Sequence, residues 1–138
     1  MSVHATVAPR PPFPAGAGLT SASSPPLALP GSHFAAALLF WMLGAAGLVW
    51  IAPDLAQGMF PLPRVVAVTH LFTLGWITTS ILGALCQLFA VVLGQPIRST
   101  RAAYATLALH VPGILLFVTG LLTAQRFTLL AGAALFGT

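Results

Sequence analysis

From Phe34 to Thr138, full charges occur at only five positions: Asp54, Arg64, Arg98, Arg101 and Arg126. Between them run long stretches of apolar side chains. A helix needs about 20 such residues to cross a ~30 Å hydrocarbon layer. The first stretch, Phe34 to Ala52, is nineteen residues without a charge. The second, Val65 to Leu93, is longer than a bilayer requires, which predicts tilt or a protruding end. The third is Ala102 to Ala124, with Pro112 inside it. A fourth, Phe127 to Thr138, amounts to roughly 18 Å of helix and is too short to span. The expected fold class is therefore all-α: a polytopic transmembrane helix bundle of three full spans and a truncated fourth.

Composition closes the other routes. Charged residues make up 4% of the chain, against about 25% for a soluble domain. The lone carboxylate side chain, Asp54, excludes catalysis by paired carboxylates. One cysteine, Cys86, excludes a disulfide framework within the chain and a cysteine-rich zinc site. The five arginines form no basic patch, so nucleic acid is not an expected partner. The solvent of this protein is the lipid bilayer.

Residues 1–33 differ in kind. Seven prolines and the stretch Ser21 to Ser24 predict a disordered or extended arm. The first apolar run starts too far from Met1 for a secretory signal and reads as an anchor. The membrane domain is then 34–138, with Ser32 as the expected N-cap of its first helix and Pro53 and Asp54 marking that helix's end. The apolar run that is still open at Thr138 reads as a piece of a longer protein cut inside its fourth helix. A re-entrant or interfacial tail is the other reading. Three arginines (Arg10, Arg98, Arg101) fall on the side of the arm and two (Arg64, Arg126) on the other. By the positive-inside rule this predicts a cytoplasmic N-terminus in a multi-pass protein of the inner (cytoplasmic) membrane.

Ionisable groups at membrane depth mark function by default. Two histidines qualify, His70 and His110. His70 lies roughly 9 Å along its helix from Arg64, with Thr73, Leu74, Ile77, Ile81, Ala84 and Leu88 on the same face. A neutral imidazole there could ligate haem iron or another metal, or could hydrogen-bond across a helix pair. His110 stands near mid-membrane, two residues before Pro112. It is the weaker cofactor candidate, because it could instead bond the backbone that the proline disturbs. Gly75, Thr79 and Gly83 stand four apart, a small-residue ridge for close helix packing. Met42 and Met59 lack the Met-x-Met spacing that would argue for copper, so this segment does not support that metal.

The stretch Val68 to Leu93, VTHLFTLGWITTSILGALCQLFAVVL, resembles the second helix of haem-copper oxidase subunit I and of nitric oxide reductases. His70 matches the low-spin haem ligand, Leu74-Gly75-Trp76 a first motif step, and Leu82-Gly83-Ala84 a second. The chain departs from several members in having Cys86 and Ala90 where Tyr and Pro stand. The resemblance implies a b-type haem on His70, electron transfer, and a redox partner or further membrane subunits. It also implies a cytoplasmic N-terminus, in agreement with the arginines. It places the second low-spin ligand, the copper histidines and the proximal haem ligand on later helices, so this segment does not by itself carry an oxidase active site. The alternative function is a non-catalytic membrane subunit or assembly factor that packs on a larger complex through the Gly75/Thr79/Gly83 ridge.

Overall fold

The computed structural model describes residues 26–93 and 97–137. The expected arm falls mostly outside those residues, as do Gly94, Gln95 and Pro96 of the second loop. Five α-helices follow in order: α1 (Ala28–Ala56), α2 (Pro63–His70), α3 (Thr79–Leu93), α4 (Thr100–Thr123) and α5 (Arg126–Phe136). Between α2 and α3 the chain stays helical but widens into a π-helix, Leu71–Thr78. The pieces α2, π segment and α3 form one rod. Three helical stretches are long and apolar enough to span a membrane: Ala28–Ala56, Pro63–Phe89 and Thr100–Thr123. The shorter α5 is also apolar. The bundle is all-α, and its length and composition are those of a multi-pass membrane protein.

Burial is inverted relative to a soluble protein. Leu39 and Val49 are 63% and 78% exposed, whereas His33, Thr79 and His110 are 2%, 0% and 4% exposed. Large apolar side chains on the outside and polar ones inside suit lipid as the surrounding solvent. The core is correspondingly small. Phe40, Ala67, Leu71, Ile114 and Val118 form one buried cluster, and Ile51, Val65 and Val68 another.

The first helix begins six residues before the expected Phe34. Pro30 lies in the first turn of α1, where its missing N–H has no intrahelical partner to lose. Ser32 is therefore not a cap: its hydroxyl donates to the Leu29 carbonyl inside the helix, at 2.7 Å. At the other end, Pro53 and Asp54 do not stop α1, which runs on to Ala56. Gly58, at φ +71°, turns the chain out of the helix. The third span starts at Thr100, where the Ser99 hydroxyl accepts the Ala102 amide, as an N-cap should.

Asp54 is the reason the α1 end stays ordered. Arg64, at the start of α2, donates to both of its carboxylate oxygens through Nε and an Nη. The fork ties the ends of α1 and the second rod together across the short loop. Arg64→Lys removes the bidentate geometry. We expect it to lower the thermal unfolding midpoint modestly while keeping part of that midpoint's dependence on salt, because the lysine retains the charge. Circular dichroism melts in detergent at low and high ionic strength check this, and a wild-type midpoint indifferent to salt would remove the role.

Candidate functional site

The second rod lies between α1 and α4 and touches both. Its small-residue ridge faces α1, antiparallel. A methyl group built on Gly75 would stand 2.6 Å from Phe40 Cγ, and one on Gly83 would stand 2.8 Å from His33 Cβ. Thr79, between them, is fully buried. Further along the same helix pair, Gly44 and Gly47 of α1 receive Phe72 and Val68. The close-packing role expected of Gly75, Thr79 and Gly83 is thus used inside this chain. Within this chain, Phe40 and His33 of α1 lie over Gly75 and Gly83 of that ridge.

A second set of glycines, not singled out in the sequence, brings α4 and α5 into backbone contact. A methyl on Gly120 would lie 2.5 Å from the Leu129 amide nitrogen, and one on Gly132 would lie 2.3 Å from that of Phe117. Gly113 meets the Phe136 amide in the same way, at 2.8 Å. The left-handed residue Ala124 (φ 56°) makes the turn between the two helices.

The histidines sit within this frame. His70 ends α2 and is half-buried. Its Nδ1 lies 2.7 Å from the Val66 carbonyl oxygen. A carbonyl only accepts, so Nδ1 carries the proton and the lone pair of a neutral ring is on Nε2. The Phe117 ring of α4 lies against the imidazole, with centroids 5.2 Å apart and a tilt of 55°. Along the same side of the rod, Thr73, Ile77, Ile81, Ala84 and Leu88 are exposed, and only Leu74 turns partly inward. This is the face expected from the spacing around His70.

The π segment starts at the residue after His70, and threonine hydroxyls report it. Thr69 and Thr73 donate to carbonyls four residues back, Val65 and Thr69. Thr78 and Thr79 donate five residues back, to Thr73 at 2.9 Å and to Leu74 at 3.4 Å. Such widened turns occur disproportionately at functional sites, because they re-aim backbone groups.

His110 is placed differently. It lies in the bundle interior, with the Phe136 ring edge-on at 6.4 Å. Phe136 in turn meets Phe117 at 5.4 Å. Ring contacts thus run from His70 through Phe117 and Phe136 to His110. Pro112 is on the exposed side of α4, away from His110. The imidazole Nε2 of His110 is buried without a hydrogen-bond partner.

Among the described residues, no three His, Cys, Asp or Glu side chains gather as a multidentate metal site. An axial haem ligand requires only one imidazole, so the fit to haem rests on His70 alone. A groove of about 410 Å³ lies at the α4–α5 turn, against Pro61, Pro63 and Val66. Its walls include neither histidine. No protein-family model matches the chain, no curated protein matches it, and no solved structure matches it.

Proposed function

We propose that this chain belongs to an oxidase-like protein of the inner (cytoplasmic) membrane, N-terminus cytoplasmic, in which His70 is an axial ligand of a low-spin b-type haem. The observation that carries the reading is the bond from His70 Nδ1–H to the Val66 carbonyl. A ligating histidine characteristically donates its other ring N–H to a carbonyl or carboxylate, which fixes the tautomer and raises the basicity of the ligating nitrogen. Val66 does this here from one turn earlier in the same helix. Phe117 restricts rotation of the ring. The exposed apolar face through Thr73, Ile77 and Ile81 gives a flat macrocycle a surface to lie against.

When bound, the group would supply one-electron transfer between a redox partner and an acceptor beyond this segment. The chain's own contribution is to hold and orient Nε2 and to surround it with apolar side chains. Such burial is one of the levers that set a haem potential. His110, whose ring meets Phe136 while that of His70 meets Phe117, is not proposed as the second axial ligand. That ligand would come from another helix.

The test is optical. The full-length protein, purified from membranes, should show the reduced-minus-oxidised bands of a b-type haem. His70→Ala should abolish them, and His110→Ala should leave them in place. Folded full-length protein with no haem band discards the proposal.

A further inference from the structure

One end of the bundle carries a groove that the haem reading does not use. It encloses about 410 Å³ between the first loop and the turn from α4 to α5. Ligand sites commonly measure about 300–1,000 Å³ and are mostly apolar with a few placed polar groups. This groove has that make-up. Val66, Leu121, Leu129 and Leu130 belong to its apolar wall, and Gln125 and Arg126 are its polar members.

The two kinds of residue are layered. Gln125 and Arg126 stand where the third span has ended at Thr123 and α5 begins. Val66, Leu121, Leu129 and Leu130 lie two to four residues inside their helices from that end. At 1.5 Å per residue they are roughly 3–6 Å deeper. A polar mouth above an apolar slot follows the order of a phospholipid, headgroup outward and acyl chain inward.

Charge decides which phospholipid. The sequence has five arginines and one carboxylate side chain, Asp54. Arg64, at the same end of the bundle, donates to both oxygens of Asp54. Arg126 is exposed, and the sequence holds no other carboxylate side chain to neutralise it. Gln125 Oε1 accepts from the Thr128 hydroxyl at 3.2 Å, so the NH₂ end of that amide is its donor to a ligand. A guanidinium offers paired N–H donors that match a phosphate. A zwitterionic headgroup brings its own cation to the same place, and an anionic headgroup does not.

We propose that this groove binds one anionic phospholipid, with the phosphate on Arg126 and Gln125 and an acyl chain along Val66, Leu121 and Leu130. Basic pockets between membrane helices take anionic headgroups in this way. The proposal is independent of haem on His70, which is not part of the groove.

The experiment titrates the full-length protein in detergent with phosphatidylglycerol, and separately with phosphatidylcholine of the same chains. Native mass spectrometry counts the bound lipid, and circular dichroism selects variants that keep the wild-type helical signal. Wild type should prefer phosphatidylglycerol by about fivefold, the effect of one arginine beside an anionic lipid. Arg126→Gln should erase the preference, and Arg126→Lys should keep most of it. Leu130→Glu, which sets a carboxylate one turn from Arg126, should erase it as well. Arg101→Gln, at the other end of α4, should leave it intact, and millimolar inorganic phosphate should not displace the lipid. Equal binding of the two lipids, a preference that survives Arg126→Gln, an equal loss in Arg101→Gln, or displacement by inorganic phosphate overturns the proposal.

Discussion

Gly132→Ala is expected to unfold the α4–α5 hairpin, although it adds a single methyl group. That methyl would be 2.3 Å from the backbone nitrogen of Phe117. A flexible side chain can swing aside, but a helix backbone cannot move without shifting every side chain it carries. Ordinary overpacking of a core costs about 1–3 kcal/mol, and a backbone clash belongs at or above the upper end of that range. Gly120→Ala should behave alike, because its methyl meets the Leu129 backbone at 2.5 Å. Gly31→Ala is the control. Nothing lies within 4 Å of its added methyl, and alanine favours a helix by up to about 1 kcal/mol over glycine. The same chemical change should therefore be neutral or stabilising at Gly31 and severely destabilising at Gly132. Circular dichroism melts in detergent compare the two variants directly. Equal unfolding midpoints in the Gly31 and Gly132 variants would contradict the hairpin packing.

Gly75→Leu is expected to release α1 from the second rod. Phe40 fills the space over Gly75 and is itself 3% exposed, so neither partner has room to yield. The conflict is between two side chains, and it should be partly reversible. Phe40→Ala alone should cost about 3–5 kcal/mol as a large-to-small core change. In combination with Gly75→Leu the cost should be well below the sum, by up to about 3 kcal/mol, because the new side chain occupies the vacated volume. A double-mutant cycle read by thermal unfolding measures that coupling. Strict additivity would mean that the two positions do not meet.

The spans were legible in the sequence because burial in lipid demands uninterrupted apolar length, and Arg64 and Arg126 punctuate it plainly. Helix ends were less legible. Pro30 looked like part of an extended arm, but a proline in a first turn is compatible with a helix, and α1 begins ahead of it. The Gly75/Thr79/Gly83 ridge could be recognised from its spacing of four within one helix. The Gly113, Gly120 and Gly132 contacts could not, because they are shared between two helices and the first two are seven residues apart. The spacing around His70 pointed to its outward face, and the face is exposed. Phe117 and Phe136, which join His70 and His110 in one run of ring contacts, carry no signal in an apolar run that is rich in such residues. The π segment left a faint trace in Thr69 and Thr73 against Thr78 and Thr79, but a threonine's choice between two carbonyls is decided only by the turn it sits on.

That wider turn also sets a phase. Each residue of an α-helix advances the direction of its side chain by about 100°. The π segment therefore fixes the angle between what lies before it, His70, and what lies after it, Thr79 and Gly83. With the segment in place, Thr79 and Gly83 face α1 while His70 looks outward beside Phe117. Shortening it by one residue would bring these positions back toward α-helical spacing and lose the widened turn beside His70. Within 71–78, Gly75 is where exchange for a bulky residue should be tolerated least.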